Sequence, residues 1–175
     1  MSTCEHPQSC PLWVKKGGFI NFDEAVVDFL SQEKIAVVGL SRDGKNPGNA
    51  IVKKLEDAAI TVFAVHPSVK EIDGRRCYQS LKNIPEKIDG VLFTTHPKVT
   101  EELVEQCVAL GIPRVWMHRS FGEGSVSEQA VTICEQNNIH VIAGGCPMMF
   151  VKPVDIAHKC MCWILRKTGG LGQAN

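Results

Sequence analysis

Apolar positions along this chain come in two rhythms. Short unbroken runs alternate with longer stretches in which apolar residues recur every three or four positions. The runs are residues 35–40 (IAVVGL), 60–65 (ITVFAV), 90–95 (GVLFTT), 114–117 (RVWM) and 139–143 (IHVIA). Such short, mostly apolar runs predict strands buried on both faces, the kind found in parallel sheets.

The stretches between them have helix spacing. Residues 23–32 set Val26, Phe29 and Leu30 on one face with Phe22 just ahead. A helix opening at Asn49 carries Ile51, Val52, Leu55, Ala58 and Ala59. Residues 100–110 turn Leu103, Val104, Cys107 and Val108 inward and are closed by Gly111. Residues 126–137 do the same with Val126, Ala130, Ile133 and Cys134. A last helix, 154–167, is expected with Pro153 in its first turn, Asp155 at its positive end and Gly169 as its C-cap. Residues 68–83 read as a long connection with a turn at Asp73-Gly74.

Strands alternating with helices predict an α/β fold: an open parallel sheet of about five strands with helices on both faces. The chain divides into an N-terminal extension (1–21), the sheet domain (22–150) and a C-terminal helix and tail (151–175). In the extension, Trp13 and Phe19 are candidate anchors onto the body, and Cys4, His6 and Cys10 match no zinc-ligand spacing.

Composition narrows the function classes. Lys plus Arg and Asp plus Glu are 19 each, a balance that argues against a dedicated nucleic-acid binder. No apolar run approaches membrane-spanning length. The N-terminus lacks the basic and apolar regions of a secretory signal. The eight cysteines sit in a chain with strong strand and helix periodicity, and Cys107 and Cys134 fall on apolar stripes, so free thiols in a reducing, cytoplasmic compartment are expected.

In open parallel sheets ligands bind beyond the C-terminal strand ends, near the switch point. Those ends are Gly39-Leu40-Ser41-Arg42, His66-Pro67, Thr94-Thr95-His96-Pro97, Met117-His118 and Gly145-Cys146-Pro147. The first is a Gly-bearing loop leading into a helix start near Asn49, an arrangement suited to a phosphate. A nicotinamide dinucleotide would want a middle glycine and an acid after the second strand; Ser41 and His66 stand there instead. A phosphorylated adenosine wants cations, and Arg42, Lys45 and Lys70 are available, with Ser41 able to donate to a phosphate oxygen.

The segments GLSRDGKNPGNAIVKKL, FAVHP, GRRCYQSLKNIPEKID, VWMHRS and VIAGGCP, in that order, resemble the small CoA-binding domain proteins. These are single Rossmann-like domains similar to the N-terminal domain of the succinyl-CoA synthetase alpha subunit. The resemblance covers residues 35–150 and implies a coenzyme A site. Residues Gly39, Leu40, Ser41 and Arg42 would hold the phosphates, with Lys45 and Asn49 in the same turn. His66, Pro67 and Lys70 would lie at the adenine and ribose-phosphate side, and Thr94, Thr95, His96 and Pro97 beside the nucleotide or the pantetheine arm. Met117, His118 and Cys146 complete the candidate set. The chain departs from the family at Gly145, where a polar or basic residue is common. Nothing in it matches the second domain that carries the synthetase's phosphorylated histidine.

His66, His96 and His118 at strand ends could form a ring of general bases, yet no local nucleophile motif pairs with them. Binding is therefore expected over catalysis. Cys146 is a candidate for a mixed disulfide with the CoA thiol if a helix N-terminus lowers its pKa. Cys160 is expected on the inward face of the last helix with Ala157, Ile164 and Leu165; this separates it from Cys162 and argues against a shared metal with His158. Two alternatives stand beside CoA binding: an NAD(P)-dependent oxidoreductase and a protein-interaction scaffold, with homo-oligomerisation open in each case.

Overall fold

A computed structural model describes residues 21–174. The N-terminal residues singled out above, Cys4, His6, Cys10, Trp13 and Phe19, lie outside the described residues. The chain runs α1 (Phe22–Leu30), β1 (Lys34–Val38), α2 (Pro47–Asp57), β2 (Thr61–Val65), β3 (Glu71–Ile72), β4 (Arg75–Tyr78) and β5 (Gly90–Phe93). It continues through α3 (Pro97–Leu110), β6 (Arg114–Met117), α4 (Glu128–Gln136), β7 (His140–Ala143), α5 (Ile156–Thr168) and β8 (Gln173–Ala174). The strands form one sheet in the order β3-β4-β2-β1-β5-β6-β7-β8.

The five expected strands pair in parallel, with Val37 of β1 opposite Ala64 of β2 and Leu92 of β5. Their side chains alternate between two cores. Ile35 and Val37 pack with α1 and α2, whereas Ala36 and Val38 pack with α3 and α4. Helices on both faces explain why the strand runs are apolar at successive positions. Residues 68–83 are not a plain connection. They hold a hairpin whose second strand, β4, adds to β2 in parallel. Strand β8 adds antiparallel to β7.

Helix starts also differ from expectation. α2 begins at Pro47, capped by Asn46, whose Oδ1 accepts from the Gly48 N–H at 2.8 Å, and α3 begins at Pro97, capped by His96. A proline lacks the N–H that a first turn leaves unpaired, and a polar residue before it supplies the cap. α4 starts at Glu128 after a Ser127 cap, and α5 starts at Ile156 with Asp155 as its cap, so Pro153 precedes that helix.

Three ion pairs tie the outer elements to one another and to the sheet. Arg114 on β6 grips Asp28 of α1 through two bonds, at 2.6 and 3.2 Å. Arg75 holds the hairpin to Glu56 of α2 at 2.8 Å, and Arg166 ties α5 to Asp23. The inward stripe of α5 is Met161, Cys162 and Leu165. Ala157, Cys160 and Ile164 face out instead, beside Ile156 and Trp163, which are 79% and 63% exposed. Among the described residues no helix is long and apolar enough to cross a membrane.

Candidate functional site

Strand β1 lies between β2 on one side and β5 on the other, so the chain's direction across the sheet reverses there. A crevice forms where neighbouring loops turn opposite ways. The β1–α2 loop, residues 39–46, leaves from this point.

The loop is braced from within. The Ser41 N–H donates to Asn49 Oδ1 at 2.9 Å, and the Asn49 amide donates back to the Ser41 carbonyl at 2.9 Å and to Asp73 at 3.0 Å. Ser41 Oγ accepts from the Asn46 N–H at 3.0 Å, and the Asn46 amide donates to the Thr94 carbonyl at 3.1 Å. Asn49 therefore holds the loop's shape, and Asn46, which the sequence pattern did not single out, joins it to β5. Arg42 and Lys45 stand exposed on this frame. Asp43 stands between them. The Ser41 hydroxyl, then the Lys45 N–H at 3.2 Å, hold its carboxyl below the usual carboxylate range. The Lys45 ammonium adds a contact at 3.5 Å.

At the end of β2, His66 Nδ1 accepts from the Ser68 N–H at 3.2 Å. Partial burial, and then the positive charge of Arg42, depress the His66 pKa. The Arg42 effect brings its guanidinium near the imidazole, so a cation from one loop and a neutral imidazole from another face the same space. Pro67 and Lys70 are exposed alongside.

Across β1, a cavity of about 530 Å³ opens over the ends of β5 and β6. Pro47, Thr94, Thr95, His96, His118, Ser120 and Phe121 line it. The Thr94 hydroxyl donates to the Val38 carbonyl at 3.2 Å, Thr95 meets Thr100 at 2.8 Å, and His96 caps α3. Pro97, as the first residue of α3, stands at the edge of this region. His118 is 6% exposed, and its Nε2 lies 3.2 Å from Ser120 Oγ. Burial pushes the imidazole down to about 4, so it is neutral near pH 7.

The expected ring of histidines is thus divided: His96 and His118 share the cavity, and His66 stands on the other side of β1. The structure also pairs His118 with Ser120, which the sequence pattern missed. The signal available was a serine two residues past a strand-end histidine. Leu40, Met117 and Cys146 point into the two cores and are 5%, 0% and 3% exposed, so at the crevice they offer main-chain atoms. Burial raises the Cys146 thiol, while hydrogen bonds from Met148 and Ser120 pull it partly back. That is the opposite of an activated thiolate, and it removes the basis for a mixed disulfide there. The described cysteines are free, with Cys77, Cys107, Cys134 and Cys146 buried. Among the described residues no group of three or more His, Cys, Asp or Glu side chains could hold a metal.

A family model described as a CoA binding domain matches residues 33–152. The ADP-forming acetate–CoA ligase I of Archaeoglobus fulgidus is 29% identical over 118 residues, 64% of this chain and 17% of that protein. The chain therefore spans about a sixth of that ligase, and it covers a similarly small share, 17%, of the ADP-forming acetate–CoA ligase of Methanocaldococcus jannaschii. The uncharacterized protein YneT of Bacillus subtilis is 27% identical over 114 residues, 65% of this chain and 82% of YneT. A solved structure, a hypothetical protein from Pyrococcus horikoshii OT3, aligns with a TM-score of 0.66 and 31% identity over 72% of this chain and 87% of its own.

Proposed function

The chain belongs to the CoA binding domain family, and from that premise we propose that it binds coenzyme A, free or acylated, at the C-terminal ends of its parallel strands. The diphosphate lies over the braced loop 39–46. The adenosine and its ribose phosphate extend toward Arg42, His66 and Lys70. The pantetheine arm runs the other way, past Thr94, Thr95, His96 and Pro97 to the cavity. In this reading the domain acts as a binding module.

One observation carries this reading: Arg42 and His66 converge from two loops on one side of β1 while a cavity opens on the other. A ligand with a highly anionic end and a neutral arm suits such a site. The buried free thiols support a reducing, cytoplasmic setting, and the balanced charge supports a small-molecule ligand over a nucleic acid.

Calorimetry with CoA, NAD and NADP tests the assignment. CoA is expected to bind most tightly, and equal or absent CoA binding overturns it. Tighter binding of NAD or NADP would favour the oxidoreductase, against which Ser41 and His66 stand at the fingerprint positions.

A second reading, a contact between two copies of the chain, has the outer face of α5 behind it. Ile156, Trp163 and Ile164 are 79%, 63% and 47% exposed there. Sedimentation of the protein and of its Trp163→Ser variant measures this, with a dimer expected only for the former.

A further inference from the structure

We propose that the cavity at the ends of β5 and β6 receives the acyl group of a short-chain acyl-CoA, with the Ser120 hydroxyl donating a hydrogen bond to the thioester carbonyl. This rests on the CoA reading and goes further, because it names which form of the coenzyme the site prefers.

Position comes first. Pro47, the opening residue of α2, forms one wall of the cavity. The cavity thus begins where the β1–α2 loop ends. A ligand with its phosphates over that loop has its arm directed into it, and the reacting sulfur would arrive near His118 and Ser120.

The hydrogen-bond pattern comes next. His118 is buried and neutral, so one of its ring nitrogens carries a proton. With that proton on Nε2, the ring donates to Ser120 Oγ, 3.2 Å away. The Ser120 hydroxyl in turn donates to the Cys146 sulfur on its core side, and a thiol sulfur is a weak acceptor. A hydroxyl that accepts from the ring and gives its proton only to sulfur can turn that proton outward to a better acceptor. A thioester carbonyl accepts such a proton well, whereas the sulfur of free CoA is a weak acceptor.

Size and acidity set the limits of the proposal. The cleft of about 530 Å³ opens to solvent, so it holds the end of the pantetheine arm and an acyl group of a few carbons, and carbons beyond those gain no further contact. Thr94, Thr95 and Phe121 give that chain methyl and ring contacts. An imidazole titrating near 4 is a poor proton acceptor at neutral pH. The pair therefore recognises the carbonyl and does not activate Ser120 as a nucleophile.

Calorimetry on the intact protein with CoA, acetyl-CoA, butyryl-CoA and decanoyl-CoA tests this. One added neutral hydrogen bond makes acetyl- and butyryl-CoA bind about fivefold more tightly than CoA, with no further gain on lengthening the chain to decanoyl-CoA. In Ser120→Ala the ratio of acetyl-CoA to CoA affinity falls to about one, and Ser120→Thr, which keeps the hydroxyl, retains the gain. Equal affinity of the unmodified protein for CoA and acetyl-CoA overturns the proposal and leaves the CoA assignment standing. No binding of any of the four overturns both. Free thiol released from acetyl-CoA during the titration overturns carbonyl recognition in favour of hydrolysis.

Discussion

Gly39 and Thr94 meet at the head of the crevice with no room for a side chain between them. A Cβ on Gly39 would lie 2.7 Å from both the Thr94 carbonyl carbon and its hydroxyl oxygen. Gly39 also has φ +109°, a conformation that L side chains rarely adopt. A second glycine backs the pair: a Cβ on Gly48 would come within 2.6 Å of the same hydroxyl. The glycine at the end of β1 is thus required by the protein's own packing, before any ligand arrives. Gly39→Val is expected to destabilise the fold by about 3 kcal/mol or more, from overpacking and backbone strain together. Urea unfolding without ligand measures it, and an unchanged midpoint would mean that the two loops separate at little cost.

Arg42 gives the cleaner probe of binding, because it is exposed and braces nothing in the loop. Arg42→Ala should leave the unfolding midpoint unchanged and weaken CoA binding about tenfold at low salt, the scale of one charge-assisted hydrogen bond. The loss should shrink as salt is added. Dephospho-CoA, which lacks the ribose phosphate, should lose less. Calorimetry on the two ligands reads this directly, and equal losses would move Arg42 from the ribose phosphate to the diphosphate.

How much of this was legible beforehand depended on burial. β1, β2, β5, β6 and β7 are covered on both faces, so their sequences carry nearly unbroken apolar runs. β3, β4 and β8 are short strands of two to four residues toward the two ends of the sheet, held by main-chain pairing and by Arg75, and Glu71, Arg76 and Gln173 carry no periodic signal. Asn46-Pro47 and His96-Pro97 looked like loop, since proline and a polar neighbour mark turns and helix starts alike. α5 carries apolar residues all round, so spacing alone does not choose among Ile156, Leu165 and Ile164, and of the expected face only Leu165 is buried. The strand-end rule located the crevice, but which side chains open into it depends on strand parity. Met117 and His118 are adjacent, yet Met117 packs in the core and His118 lines the cavity.

Asp43 is an anion within a loop proposed to hold anions. Its carboxylate takes the Ser41 hydroxyl and the Lys45 main-chain N–H and lies near the Lys45 ammonium, three donors that a diphosphate would also want. Asp43→Asn removes the like charge and loosens its hold on Lys45. CoA should then bind about three- to fivefold more tightly, the scale of an exposed charge pair. The improvement should be largest at low ionic strength. Weaker binding in the variant would instead make Asp43 a brace that the loop needs in order to present Arg42.

The last expectation concerns pH and follows from His118. Burial holds its pKa at about 4 in the folded protein, below the 6.5 of an exposed imidazole. Between those values the unfolded chain takes up a proton that the folded chain refuses. Stability is therefore unaffected by this group above pH 6.5 and declines as pH falls from there toward 4, by up to about 3 kcal/mol. His66, also depressed by burial and by Arg42, acts in the same direction. Asp23, Asp43 and Asp155 have pKa values lowered from 3.8, so their losses come at still lower pH and do not blur the window. Urea midpoints at pH 7, 5.5 and 4.5 trace the decline. His118→Gln has no proton to take up, so its stability should fall less over the same interval, whatever its value at pH 7. A variant profile parallel to that of the unaltered protein would mean that the imidazole is solvated in the folded state, and its hydrogen bond to Ser120 would then compete with water.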